Sequence, residues 1–93
     1  MTETPSMSEL PALLQKGLDM VEERLRSSNG ERIYDSIKAQ LTYMKHTLDA
    51  HQKPTDERLD KLLLGVYAAR ELESSDPEFA DVLFHSEYLF KRL

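Results

Sequence analysis

Four stretches of the chain repeat hydrophobic residues at the spacing of an amphipathic helix. The first two span about Glu9 to Ser27 and about Arg32 to His51, the third begins at Asp56, and the fourth follows Asp76-Pro77. Apolar residues every three or four positions place one hydrophobic stripe along a helix, and no stretch alternates with the period of a strand. Because the connections are short, the pattern predicts an all-α fold: a small antiparallel bundle of about four helices.

The ends of these helices are predicted from capping and breaking residues. Ser8 is expected to cap the first helix, with Pro11 in its first turn, where a missing N–H costs nothing. Asn29-Gly30 is expected to end that helix. Pro54 cannot continue the hydrogen bonds of the second helix, and Thr55 can cap the third. Asp76 is expected to cap the last helix.

Each predicted helix has a candidate core face, which on the first helix consists of Leu10, Leu14, Leu18, Val21 and Leu25. The second has the cleanest stripe: Ile33, Ile37, Leu41, Met44 and Leu48. For the third we expect Leu59, Leu62, Leu63, Val66 and Ala69 or Arg70, and for the last Phe79, Val82, Leu83, Ser86, Leu89 or Phe90, and Leu93. Two glycines, Gly17 and Gly65, stand inside helices, where each costs about 1 kcal/mol relative to Ala. We therefore expect another helix to approach closely at these positions.

Length and charge exclude several classes of protein. The chain has 93 residues with a formal net charge of −5, no cysteine and no cluster of Lys and Arg, so we expect one domain that does not bind nucleic acid. No apolar run reaches the roughly 20 residues that span a membrane, and no secretory signal is evident, which favours the cytoplasm. Residues 1–7 are expected to be a flexible tail, and residues 8–93 a single helical domain.

No combination of residues points to catalysis, a cofactor or a metal. The chain has neither a glycine-rich phosphate loop nor a nucleophile motif, so we expect no enzymatic activity. His46, Asp49 and His51 crowd the end of the second helix, but residues 49 and 51 point about 140° apart and no further ligand is near. These three are interpreted as solvated polar residues, and no metal or cofactor is predicted.

The negative charge is concentrated in one region. Residues 56–81 hold eight acidic and three basic residues, a balance equal to the whole net charge. On the side of the third helix opposite its predicted core face, Asp60, Leu64, Tyr67 and Glu71 follow at steps of four, three and four, which resembles a small protein interface. Alternatively, Leu64 and Tyr67 pack against a second neighbouring helix. Further candidates for half-exposed aromatic residues are Tyr34, Tyr43, Phe84 and Tyr88.

Two strings of residues carry a resemblance to a known family. They are Ile-Tyr-Asp-Ser-Ile-Lys-Ala-Gln-Leu-Thr-Tyr at 33–43 and Gly-Val-Tyr-Ala-Ala-Arg-Glu-Leu-Glu at 65–73, followed by Phe-Ala-Asp-Val-Leu at 79–83 and Tyr-Leu at 88–89. With them, residues 10 to 93 resemble the small helical immunity proteins of bacterial type VI secretion that neutralise an NAD(P)+ glycohydrolase toxin.

The resemblance implies a cytoplasmic antitoxin that binds a cognate protein toxin and has no catalytic residues of its own. Combined with the acidic region, it suggests a toxin-binding surface formed by Asp60, Leu64, Tyr67, Glu71, Glu73, Asp76 and Asp81. An acidic surface would complement an active site that accommodates an anionic dinucleotide. The alternative function is a helical adaptor or chaperone that holds a secreted partner without inhibiting it. The oligomeric state stays open.

Overall fold

The chain folds as a small helical bundle, as predicted. The computed structural model describes residues 7–27 and 32–92, and the side chains of all of these except Arg32 and Asp60; this part of the chain is helical and has no strand. A 3-10 turn, Met7–Glu9, leads into α1 (Leu10–Ser27), followed by α2 (Arg32–Asp49), α3 (Asp56–Asp60), α4 (Leu64–Tyr67), a π-helical turn (Ala68–Leu72) and α5 (Pro77–Phe90). Most of the predicted tail, the turn at Asn29-Gly30, and Leu93 lie outside the described residues.

Aromatic pairs between α2 and α5 show how the helices are oriented. Near their starts, the rings of Tyr34 and Phe79 stack with centroids 6.3 Å apart. Near their ends, Tyr43 and Phe90 meet edge to face at 6.0 Å. The two helices therefore run parallel. Lys38 and Lys45 of α2 contact Glu22 and Gln15 of α1 in the reverse order, so α1 runs antiparallel to α2 and therefore also to α5.

The core contains the predicted stripes of the first, second and last helices. Its fully buried members include Leu10, Leu14, Val21, Ile37, Leu41, Met44, Phe79, Leu83 and Phe90. Gly17 explains why α1 approaches α2 and α5 closely: a Cβ there would stand 3.2 Å from Leu41 Cδ1 and 3.5 Å from Val82 Cγ1. Because these distances leave almost no room for a side chain, the expected close approach at Gly17 is confirmed.

The second helix ends two residues earlier than predicted. His51 adopts a left-handed conformation with φ 55°. Its N–H bonds to the Leu48 carbonyl at 3.0 Å, and the Gln52 N–H bonds to the Thr47 carbonyl at 3.1 Å, which is the hydrogen-bond pattern of a Schellman cap. Beyond this loop, the predicted cap at Thr55 is confirmed: its hydroxyl accepts the N–H of Arg58 at 3.2 Å.

The prediction of one continuous third helix was wrong. α3 ends after five residues, and Leu63 leaves the helical conformation with φ −123° and ψ 15°. The Leu63 N–H bonds to the side-chain carbonyl of Gln40 on α2 at 2.7 Å. The Gly65 N–H bonds to the carboxylate of Glu87 on α5 at 3.2 Å. Side chains from two other helices therefore accept hydrogen bonds from two backbone N–H groups at the new helix start. This lets the helix restart with a different face toward the core.

The restart changes which residues face the core. Leu62, Leu64, Ala68 and Leu72 are buried. The last three are four residues apart and form the inner stripe of α4 and the π-helical turn. Leu63 and Val66 were predicted to be core residues, yet 42% and 45% of their surfaces are exposed, and Ala69 and Arg70 are exposed as well. The predicted core face of the third helix is therefore wrong beyond Leu62.

Candidate protein interface

The structure separates the seven candidate interface residues. Glu71, Glu73 and Asp81 are exposed, Tyr67 and Asp76 are half-buried, Leu64 is fully buried, and the side chain of Asp60 lies outside the described residues. They therefore do not form one continuous surface.

Leu64 was expected to be an exposed apolar group, and this prediction was wrong. Its side chain has no exposed surface and belongs to the core. The physical reason is the break at Leu63, which rotates the following helix so that Leu64 starts the inner stripe. The alternative interpretation is confirmed only in that Leu64 is buried, because the exposure of Leu63 and Val66 shows that the helix does not bury two opposite faces.

Tyr67 lies at the junction of α2 and α4. Its ring packs against the core, and its hydroxyl is 3.1 Å from Ser36 Oγ. Ser36 Oγ also accepts a hydrogen bond from Gln40 Nε2 at 3.2 Å, and the carbonyl of the same Gln40 side chain holds the Leu63 N–H. A chain of hydrogen bonds therefore connects α2 to the restart of the third helix and fixes the orientation of the Tyr67 ring.

An open groove lies beside this junction. It is lined by Ile33 and Ser36 of α2, by Tyr67 and by Glu71, with a volume of about 450 Å³. Ile33 and the Tyr67 ring supply apolar surface, and the exposed carboxylate of Glu71 supplies charge at the edge. This combination of a small apolar centre and a charged rim is typical of protein interfaces.

Asp76 is part of an ion pair inside the bundle. Its two carboxylate oxygens accept bonds from Arg24 Nε at 2.7 Å and from Nη2 at 3.1 Å. The Arg24 guanidinium also lies 4.9 Å from the ring centroid of Phe79. Only about a fifth of either charged side chain is exposed. Asp76 is the N-cap residue of α5, as expected, but its carboxylate makes no well-formed capping hydrogen bond, and the ion pair with Arg24 removes it from the candidate surface.

We expect Asp76→Asn to lower the free energy of unfolding by about 1–3 kcal/mol, because it leaves a half-buried guanidinium without its anion. The hydrogen bond from Arg24 lowers the pKa of Asp76. A lowered pKa means that the ion pair stabilises the fold at neutral pH and that this contribution is lost as the pH falls below about 4. Chemical denaturation at pH 7 and pH 3 measures both effects.

The matched control is Asp81→Asn, the same change at an exposed acid one turn further along α5. We expect it to change stability by less than about 0.5 kcal/mol. A difference between Asp76→Asn and the native protein that is as large at pH 3 as at pH 7 would contradict the assigned role of the carboxylate.

Sequence reasoning missed part of the exposed apolar surface. Leu63 and Val66 were assigned to the core. They are exposed because the helix breaks at Leu63 and restarts with a different face toward the core. Phe84 and Tyr88 were expected to be half-exposed, and this is confirmed, with 36% and 41% of their surfaces exposed. These four residues belong to the α3–α4 junction, to α4 and to α5.

The residues that the structure describes form neither a metal site nor a membrane-spanning helix. Among residues 7–27 and 32–92, no group of three or more His, Cys, Asp and Glu side chains is placed to hold a metal ion. In the same part of the chain, no helix combines the length and apolar character needed to cross a membrane. A smaller cleft of about 220 Å³ between α2 and α3 is lined in part by Tyr43, Arg58 and Lys61, and the Arg58 guanidinium lies 5.7 Å from the Tyr43 ring centroid.

Comparisons with known proteins agree with this architecture. The sequence profile of the Tsi6 family matches residues 9–92. The solved structure of Tsi6 from Pseudomonas aeruginosa superimposes with a TM-score of 0.81 and 27% sequence identity, covering 90% of this chain and 86% of that one. A search of curated proteins gives no match. The match over nearly the whole chain confirms the resemblance at the level of the family. The chain therefore belongs to the Tsi6 family, the immunity proteins of bacterial type VI secretion.

Proposed function

We propose that this immunity protein binds a cognate type VI toxin whose activity is NAD(P)+ hydrolysis, and that binding blocks the toxin in the cytoplasm of the producing cell and its kin. The match of residues 9–92 to the Tsi6 family is the observation that carries the proposal. In this role the chain acts by binding alone and performs no catalysis.

The groove beside Tyr67 is the surface that we propose for the toxin. It combines an apolar floor with the Glu71 carboxylate, and Glu73 is exposed two residues further on. A toxin that accommodates a dinucleotide must attract its negative phosphates, so the rim of its active site is expected to be positive. An acidic rim on the immunity protein complements such a surface and accelerates encounter.

Co-expression tests the proposed function directly. The cognate toxin domain is expressed in a bacterial host with this chain, with an unrelated helical protein of the same size, or alone, and cell survival and total NAD are measured. We expect this chain alone to preserve both. If a complex is isolated from the cells while NAD still falls, the chain is an adaptor that holds the toxin without inhibiting it, and the proposal is wrong.

Charge reversal at Glu71 tests the groove. We expect Glu71→Lys to slow association with the toxin by about threefold or more at low salt and to flatten its dependence on ionic strength, because a rim charge acts mainly through long-range attraction. Glu73→Lys is expected to act in the same direction. Stopped-flow or surface-binding kinetics at several salt concentrations provide the measurement.

Asp49→Lys is the matched control for this prediction. It makes the same change in net charge at an exposed position, thirteen residues and therefore about 20 Å along α2 from Ser36. That distance is about twice the screening length of roughly 8–10 Å at 0.1–0.15 M salt, so the two variants are compared at those salt concentrations as well as at low salt. Equal effects of Asp49→Lys and Glu71→Lys on the association rate would show that only the net charge matters. That result would contradict the proposal that the toxin binds at the groove.

A further inference from the structure

The outer face of α5 carries two aromatic side chains that no helix within residues 7–27 and 32–92 covers. Phe84 and Tyr88 are one turn apart and expose 36% and 41% of their surfaces. Phe84 borders α4, since its Cδ1 would lie 3.8 Å from a Cβ on Gly65, and the neighbouring Val66 exposes 45% of its surface. The residues on the opposite face of α5 are buried, and the helix contacts α1, α4 and the π-helical turn. The two aromatic residues therefore form the centre of an apolar surface on one helix.

Opposite charges flank this apolar centre. Toward the start of α5, Glu78 and Asp81 are exposed, and just beyond its end Lys91 and Arg92 are exposed. The Arg92 guanidinium stacks 4.0 Å from the ring centroid of Tyr88, which places its charge at the edge of the aromatic surface. In the part of the chain that the structure describes, no ion pair involves Asp81 or Lys91. The face thus has an acidic end, an aromatic middle and a basic end.

We propose that this face binds a second copy of the chain, with the two α5 helices antiparallel about a two-fold axis. In a two-fold interface the same surface meets itself, so it must be complementary to its own reversed copy. An antiparallel alignment that places Phe84 opposite Tyr88 of the partner subunit also places Asp81 opposite Lys91 of the partner subunit. Each contact occurs twice, and the helix dipoles oppose each other favourably.

The order of charges favours a second copy over a toxin as the occupant. A surface that complements a positively charged toxin would be acidic throughout, as the groove at Glu71 is. The α5 face instead carries both signs, separated along its length, and only a partner with the reverse order matches both ends. A second copy of the same helix has that order by symmetry.

The size of the face predicts a weak dimer. A helix of 14 residues is about 21 Å long and about 10 Å wide, so a single pair of helices covers roughly 200 Å² of each copy, well below the roughly 1,200 Å² in total that stable specific interfaces bury. The residues that line the groove beside Tyr67 are not part of this face. A dimer formed through α5 would therefore keep one toxin-binding groove free on each copy.

The association state of the full chain tests the proposal. By sedimentation equilibrium at low salt, we expect the mass to rise from 10.8 kDa toward twice that value as the concentration increases from micromolar to several hundred micromolar. Phe84→Ser combined with Tyr88→Ser is expected to remain monomeric over the whole range, while circular dichroism shows an unchanged helix content. A native protein that stays monomeric at several hundred micromolar overturns the proposal.

An exchange of charges tests the antiparallel arrangement. Asp81→Lys alone and Lys91→Glu alone are each expected to weaken the dimer about tenfold or more, because each change replaces two attractions by two repulsions. The double variant with both changes is expected to restore dimerisation to within about threefold of the native protein, and the control Asp49→Lys to leave it unchanged. Failure of the double variant to recover overturns the arrangement.

Toxin binding by the aromatic variant separates the two possible occupants. We expect Phe84→Ser with Tyr88→Ser to bind the toxin as tightly as the native chain does. If the native chain is monomeric and this variant loses toxin affinity, the α5 face belongs to the toxin and the dimer is rejected. The family assignment would stand in either case, because it depends on the match over residues 9–92.

Discussion

Leu41→Ala is expected to lower the free energy of unfolding by about 2–5 kcal/mol, the range for large-to-small changes in a packed core. Leu41 has no exposed surface, and its methyl groups lie against Gly17 of α1. Since Gly17 has no side chain that could move into the space, the cavity is expected to stay open, which places the loss toward the upper part of the range. Urea or guanidinium denaturation monitored by circular dichroism measures it.

The matched control is Leu63→Ala, the same chemical change at a leucine that exposes 42% of its surface. There we expect a loss of less than about 0.5–1 kcal/mol. Equal losses at the two positions would mean that α2 buries a different face or that the third helix is continuous, and either outcome would contradict the fold described above.

Tyr67→Ala is expected to weaken toxin binding by about 2 kcal/mol or more, roughly 30-fold, mainly through faster dissociation. The ring of Tyr67 lines the groove, and it is held in place by the hydrogen bond to Ser36. An aromatic side chain that is already fixed before binding loses little conformational entropy when the partner arrives, which is the property of an anchor residue.

Tyr67 also packs against the core, so the alanine variant is expected to be less stable as well. Tyr67→Phe provides the control, because it keeps the ring and removes only the hydroxyl. We expect it to retain most of the toxin affinity. A folded Tyr67→Ala variant with native affinity would remove the groove from the interface, and the side of α2 that carries Tyr34 and Tyr43 would be the next surface to test.

The helices that could be predicted from sequence are those whose signals are local. α2 was predicted by an unbroken stripe of apolar residues, and α5 by a proline at its first position followed by apolar residues at helical spacing. The cap at Thr55 depends on a residue only three positions away. In each case the groups that form the structure are close together in the sequence, so spacing alone contains the information.

The break in the third helix could not be predicted in this way. Its two stabilising acceptors, Gln40 and Glu87, are 23 and 22 residues from the N–H groups that they bind. Nothing in the sequence around Leu63 indicates that these partners will be present, and the local pattern favours a continuous helix. A continuous helix would turn a different face toward the core than the restarted helix does, so the prediction exchanged buried and exposed positions. Leu64 was assigned to the interface for this reason.

Asp76 shows the same limit in the candidate interface. Its position before Pro77 predicts the N-cap residue of α5, which is confirmed, but its carboxylate is bound by Arg24, 52 residues away. Tyr67 and Glu71, in contrast, were singled out by their spacing, and the structure places both on one groove.

Inhibition of the cognate toxin by the purified chain tests the proposed function most directly. The toxin domain is held at a fixed concentration and its hydrolysis of NAD(P)+ is followed, while this chain is added in amounts from substoichiometric to excess. Leu63→Ala, which changes an exposed residue that does not line the groove, is titrated in parallel as a control. We predict that the rate falls linearly and is abolished near one chain per toxin for both proteins. Hydrolysis that continues at the full rate in the presence of excess chain would contradict the proposed function.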